Sequence, residues 1–333
     1  MQLDNWKYIY KKKDSLKDLK KRQFINVACI LGYYNGSKYI KEQLQSIINQ
    51  KQDNLNITIF ISDDNSDELF PSITDLNFKK GKNIDICYRK LKKNIGISKN
   101  FIFSLRDVNQ EFDYFCFSDQ DDIWYKDKII NSIKSLEKYY DNIPVLYGSR
   151  TEINNENCEY KIGYSRLVNK PLSFENALLE NFAGGNTMVF NNKAKELLVS
   201  TSKDSEIAHH DWWAYIVVSG VGGNIIYDKK PSLKYRQHNI NLTGSNRGIR
   251  NKFKRLIKFK NGSFSDWNEK NIKALNKNKK LLTIENQRTL HFFYEVRNSN
   301  LFIRVLYFFR SKIYRQSLMD QIGFFLGTIF NKI

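Results

Sequence analysis

The chain has 333 residues with 41% hydrophobic content, enough for one sizeable core, and only four prolines and sixteen glycines, which excludes collagen-like or long disordered stretches. Its net charge of +19 lies in the flanks, with eight Lys/Arg against three Asp/Glu in residues 1–23 and nineteen against five in residues 246–333, so the balanced middle argues against a nucleic-acid groove there. The four cysteines, Cys29, Cys87, Cys116 and Cys158, form no CxxC pair, which favours reduced core thiols over a metal cage or disulfide framework.

In chain order, Phe24 to Leu31 (FINVACIL) is a buried strand, and Gly32 to Gly36 is a loop. Ser37 reads as an N-cap, followed by Tyr39, Ile40, Leu44, Ile47 and Ile48 at helical spacing. Strands are expected over Ile57 to Ser62, Ile84 to Tyr88 and Tyr114 to Phe117, with helices over Ser98 to Leu105 and around Ile129, Ile133 and Leu136. From Leu172 the pattern is helix, a loop Phe182 to Asn186, a strand Thr187 to Phe190, and another helix. His209 to Trp213 opens a further helix, and two short strands follow near Ile225 to Tyr227 and Ser232 to Arg236. After Gly244 the chain turns basic and helical.

Apolar strands alternating with helices predict an α/β fold with a mainly parallel central sheet, whose ligands gather beyond the carboxyl ends of the strands. Tyr34-Asn35, Asp63-Asp64 and Asp119 to Asp122 all fall at such ends. Clustered carboxylates repel one another, and a hard divalent cation such as Mg²⁺ or Mn²⁺ relieves that conflict. A lone DxD is more simply a capping turn. Here a buried strand precedes the cluster and a second acidic pair ends an earlier strand, which favours the metal reading. Asp63-Asp64-Asn65-Ser66 is either a strand-ending turn or a carboxylate that accepts from a uracil or thymine N–H, with Tyr34 stacking on the base.

Four segments are specific as a set: Tyr33-Tyr34-Asn35-Gly36, Ser62-Asp63-Asp64-Asn65-Ser66, Asn94-x-Gly96-x-x-x-Asn100 and Ser118-Asp119-Gln120-Asp121-Asp122-Ile123-Trp124. Together they resemble family-2 glycosyltransferases of the GT-A fold. With His210-Asp211-Trp212-Trp213 and Tyr235-Arg236-Gln237-His238, they are similar to the rhamnosyltransferase-like members that build bacterial capsule, O-antigen or cell-wall polysaccharide. The resemblance covers roughly residues 24–245, with a nucleotide-binding half (24–125) and an acceptor half (126–245). A basic N-terminal extension (1–23) and a basic amphipathic C-terminal region (246–333) flank them.

The resemblance implies an inverting, metal-dependent enzyme. Tyr34, Asn35, Asp63, Asp64, Asn94, Gly96 and Asn100 would face the nucleotide sugar, and Asp119, Asp121 and Asp122 the metal and diphosphate. Asp211 would be the base that deprotonates the acceptor hydroxyl. His238 reads either as a surface turn residue or as a metal ligand, and Arg236 could pair with phosphate oxygens. Gly184, Gly185 and Asn186 are a tight turn or a close approach to a sugar; Trp124 joins them on the acceptor side. Trp212 and Trp213 are core residues or a sugar wall. His209 and His210 point apart on a helix and read as packing or solvated residues.

The expected donor is dTDP-rhamnose or a UDP-hexose, and the acceptor a glycan, lipid-linked in the favoured picture. The N-terminus lacks the apolar core of a signal peptide, and no run approaches the ~18 residues of a membrane span. Residues 249–260 (IRNKFKRLIKFK) and 289–330 mix basic and apolar groups, as a docked helical pair would, or a surface meeting an anionic membrane. The expected location is therefore cytoplasmic, peripheral at the inner face of the cell membrane. Two other classes are compatible with parts of the sequence: a non-enzymatic basic membrane- or nucleic-acid-binding protein, and a metal-dependent nucleotidyltransferase. The latter would more naturally carry a GxxxxGK[ST] loop, which is absent.

Overall fold

The computed structural model describes residues 5–10, 24–50, 54–78, 83–108, 111–139, 142–203, 205–238 and 263–333. The basic stretch 249–260 and most of the N-terminal extension lie outside the described residues. The first half contains β1 (Lys7–Tyr10), β2 (Ile25–Tyr33), α1 (Ser37–Ile48), β3 (Leu55–Asp63), α2 (Ile73–Leu76), β4 (Ile84–Lys90), α3 (Ile97–Asp107) and β5 (Tyr114–Ser118). Then come β6 (Ile123–Trp124), α4 (Lys128–Leu136), β7 (Val145–Asn154), β8 (Lys161–Tyr164), α5 (Phe174–Ala177), β9 (Val189–Asn191), α6 (Asn192–Thr201), α7 (His210–Gly220) and β10 (Asn224–Arg236). Among the described residues four helices follow: α8 (Ser263–Lys277), α9 (Ile284–Asn298), α10 (Leu301–Ser311) and α11 (Leu318–Ile329).

The strands form one sheet in the order β1-β4-β3-β2-β5-β9-β7-β10-β6, with β8 beside β7. Strands β4, β3, β2 and β5 are parallel, whereas β9 runs antiparallel to both β5 and β7. The period of two along a strand divides the core between the two faces. Ala28 and Ile30 of β2 join Phe115 and Phe117 on one face, covered by α3, α6 and α7. Val27, Cys29 and Leu31 join Cys116 on the other, covered by α1 and α4. All four cysteines are buried free thiols.

The structure amends four expectations. Ser37 is the first helical residue rather than the cap; Glu68 accepts from its N–H (2.7 Å) and its hydroxyl (2.8 Å), setting a negative charge at the positive end of α1. Strand β7 has no counterpart in the sequence reading, because Gly148, Ser149 and Arg150 interrupt its apolar pattern. The two short strands near residue 230 are one strand, β10, whose register slips on either side of Pro231, a residue with no N–H to give the ladder. Finally, Leu275, Leu290, Phe293, Phe308 and Phe324 share a core cluster with Trp212 to Val218, so the core runs across the expected 245/246 boundary.

Candidate active site

The adjacent parallel strands β3, β2 and β5 end at Asp63, Tyr33 and Ser118, so the three polar constellations expected at strand ends converge at one end of the sheet. Strand β10, parallel to β7 and antiparallel to β6, brings Arg236 and His238 back beside Asp121.

On the β3 side, Asp64 is buried and accepts from the backbone N–H groups of Ile95 (2.8 Å) and Gly96 (2.9 Å). Burial raises its pKa against the opposing pull of these two donors. Gly96 adopts φ +86°, a left-handed conformation suited to glycine, and Asn94 Oδ1 accepts from the same N–H at 3.1 Å. Tyr34 exposes its ring, while Asn35, also at positive φ, receives the Asp67 N–H on its side-chain oxygen (2.9 Å).

Two residues expected at the nucleotide make buried hydrogen bonds within the protein. Asp63 is fully buried, accepting from the Ser66 N–H and the Tyr88 hydroxyl, each at 2.7 Å, so it shapes the turn. Asn100 is a buried connector whose amide donates to the Ser62 carbonyl (2.8 Å) and accepts from the Ser62 hydroxyl (2.6 Å).

In the acidic cluster, Asp121 Oδ2 lies 2.7 Å from His238 Nε2, and the imidazole stacks on Tyr39 at 4.9 Å. Asp119 is pushed up to about 8 by burial and by the charges of Asp121 and Asp211, with Lys128 opposing. Asp122 is wholly buried. Its Oδ2 accepts from Asn186 Nδ2 at 2.6 Å, while its Oδ1 has no hydrogen-bond partner among the described residues. Burial and the same neighbouring carboxylates hold it well above the usual range. Behind the cluster, the Lys128 ammonium is buried without a hydrogen-bond partner and sits 3.5 Å from the Trp124 ring centroid.

Asp211, on the first turn of α7, accepts from the Gly185 N–H at 3.1 Å and the Trp212 N–H at 2.7 Å. Gly184 leads into the short turn Gly185–Thr187, and a Cβ on Gly185 would fall 2.6 Å from His210 Nε2, so this turn packs closely against α7. The three tryptophans of the expected acceptor side are buried. Trp212 and Trp213 are buried, their indole N–H groups donating to the Ala177 carbonyl (2.7 Å) and the Thr201 hydroxyl (3.2 Å), and Trp124 is buried under Lys128. Arg236 is buried and donates to the backbone carbonyls of Asp121 (2.9 Å) and Glu156 and to the Glu42 carboxylate, so it braces the acidic loop. His209 meets Trp267 edge-on, and His210 stacks on Phe101 at 4.1 Å.

Among the described residues, no three His, Cys, Asp or Glu side chains form a ready metal cage. A Mg²⁺-type ion shared with substrate phosphates needs only one or two carboxylates. The adjacent Asp119 and Asp121, the raised carboxyl pKa values and the orphaned Asp122 oxygen fit such an ion.

Two partners escaped the sequence reading. Gln120 Oε1 accepts from the Tyr34 N–H (2.8 Å) while its amide donates to the Tyr34 carbonyl (3.0 Å). Gln43, with its amide turned to satisfy both sides, accepts from Trp124 Nε1 (3.1 Å) and donates to the Asp122 carbonyl. A polar residue on the apolar face of α1 was the available signal for Gln43.

Residues 29–198 match the family described as Glycosyl transferase family 2. Over 231 residues the chain is 35% identical to dTDP-rhamnosyl transferase RfbG of Shigella flexneri, covering 67% of this chain and 76% of that relative. It is 34% identical over 114 residues to Abequosyltransferase RfbV of Salmonella typhimurium, covering 34% of this chain and 32% of that relative. The crystal structure of S. aureus TarS 1–349 in complex with UDP-GlcNAc superposes with a TM-score of 0.50 at 13% identity, covering 80% of this chain and 87% of that one. The fold is thus the GT-A-like one expected, a mixed sheet with a mostly parallel centre.

Proposed function

The chain belongs to glycosyl transferase family 2, and from that premise we propose that it is an inverting, metal-dependent transferase carrying a sugar from a nucleoside-diphosphate donor to a hydroxyl of a growing bacterial surface glycan. The observation that carries this reading is the Gly185–Thr187 turn. Its first residue holds Asp211 and its second holds Asp122, so one turn ties the base position to the acidic cluster.

The exposed Tyr34 ring stacks on the nucleotide base, and Asp64 accepts from a base N–H through a lone pair left over from its backbone bonds. Asp119 and Asp121, with His238, would hold a Mg²⁺ or Mn²⁺ ion, which would supply positive charge to offset that developing on the leaving diphosphate. Asp211, fixed by two backbone donors, takes the proton of the acceptor hydroxyl as the oxygen attacks the anomeric carbon. Attack opposite the departing diphosphate inverts that centre.

The relative named as a dTDP-rhamnosyl transferase makes dTDP-rhamnose the first donor to try, with UDP-hexoses next. The acceptor is a lipid-linked glycan, which sets the enzyme at the inner face of the cell membrane. Family membership speaks against the non-enzymatic and nucleotidyl-transferring alternatives.

A panel of nucleotide sugars, with and without Mn²⁺, tests the proposal by thermal shift and product analysis. Asp121→Asn should lose metal-dependent nucleotide binding. Asp211→Asn should keep nucleotide binding and lose transfer by about a hundredfold or more. Near wild-type turnover in Asp211→Asn would remove the base assignment.

A further inference from the structure

Among the described residues no helix is long and apolar enough to cross a membrane. The α10–α11 hairpin nonetheless presents an apolar outer side. On α10, Arg304, Phe308 and Ser311 point inward, and Phe302 (81% exposed), Leu306 and Phe309 point out. On α11, Phe324, Gly327 and Thr328 point inward, and Leu318, Met319 (76% exposed), Ile322 and Leu326 point out, with Phe330 just beyond the helix. Spacings of three and four keep each set on one side of its helix. The two sides meet where Phe309 approaches Phe325, at 5.8 Å between ring centroids. Exposed apolar surface this extensive marks an interaction site.

Charge decides the partner. Across residues 301–333 the exposed charged side chains are Arg310, Lys312 and Lys332, all basic. The single carboxylate there, Asp320, is half-buried and lies 3.7 Å from Arg166. A second copy docked through this face would set like charges together, whereas an anionic bilayer accepts both the basic groups and the apolar side chains.

The hairpin is also fastened to the acceptor half. The Gln316 N–H donates to Glu180 (2.5 Å), the Gln316 side-chain oxygen accepts from the backbone N–H groups of Asn169 (3.1 Å) and Lys170 (2.8 Å), and the Tyr314 carbonyl accepts from Asn176 (3.0 Å). Glu180 lies five residues before Gly185 in the chain.

We propose that the outer side of α10–α11 is a membrane-docking surface that seats Phe302, Phe309, Met319 and Phe330 at the interface of an anionic bilayer, with Arg310, Lys312 and Lys332 at headgroup level. Its biological purpose rests on the lipid-linked acceptor reading above; its physical basis does not.

Flotation of the full chain with phosphatidylglycerol-containing and with pure phosphatidylcholine vesicles tests it. The wild type should float with the anionic vesicles. The variant Phe302→Ser/Met319→Ser/Phe330→Ser, altered only at exposed positions, should lose about tenfold or more of that binding with an unchanged Tm. Arg310→Gln/Lys312→Gln should lose the preference for anionic over neutral vesicles. Wild-type binding by the triple variant would overturn the proposal, as would a wild-type dimer that the triple variant turns into a monomer without effect on flotation. Mn²⁺-dependent nucleotide binding in the same samples reads the transferase proposal separately; its failure would leave the docking surface standing.

Discussion

His210 is a titratable group set into an aromatic wall, stacked on Phe101 and edge-on to Phe117. Burial lowers its pKa to about 4, against an unfolded value near 6.5. As pH falls through that interval, the unfolded chain gains a proton that the folded one refuses. Stability present above pH 6.5 is therefore lost towards pH 4, by about 3 kcal/mol at the acid end. Thermal unfolding between pH 7 and 4.5 should show this fall, and His210→Gln should flatten it; an equal slope in the variant would assign the loss to other groups. At this scale, Asp64, Asp119 and Asp121 stand out in the sequence, because acidic clusters after apolar strands are visible in order and spacing, whereas Asp211 is marked only by the family resemblance. Their partners do not stand out. Nothing local in Asn100 announces its buried bridge to Ser62, and nothing local in Lys128 says that its ammonium ends up dry behind the acids.

The loops after β2 and β5 are clasped together by the pair of hydrogen bonds between Gln120 and the Tyr34 backbone. Gly36 makes room for that clasp, since a Cβ there would lie 2.2 Å from the Gln120 amide. Gly36→Ala should displace the amide, cost about 1–2 kcal/mol and weaken nucleotide binding. Gln120→Ala should cost a similar amount, and the double variant little more than either, because both remove one interaction. Additive losses in urea unfolding would show the two residues to be independent. Strands with continuous apolar runs, β2, β3 and β5, were evident in the sequence to within one or two residues. Strand β7 was not, because its partners on both sides, not its own composition, keep Ser149 and Thr151 buried.

For the whole molecule, charge suggested a neutral body with basic attachments, but the packing joins them. Leu275, Leu282, Leu290, Phe293, Phe308 and Phe324 are buried in the same cluster as Phe174 and Trp213. Each such side chain contributes about 1.5–3 kcal/mol, and six together rival the entire ~5–15 kcal/mol stability of a domain. A chain ended at Gly244 should therefore lack a cooperative thermal transition and the near-ultraviolet signal of packed aromatics; a sharp transition would show the catalytic half to be self-sufficient. A charge map cannot reveal this, since the residues that cross the boundary are apolar.

The ends of the sheet carry a further consequence. A row of unpaired backbone groups invites strands from other molecules. Here one margin is β1, four residues long and secured by Trp6 against Phe60 and Arg89, and the other is β6, two residues long. Neither offers a long template, and the stretch of β10 that β6 leaves uncovered is interrupted by Pro231, which has no N–H to give an incoming strand and where the register slips.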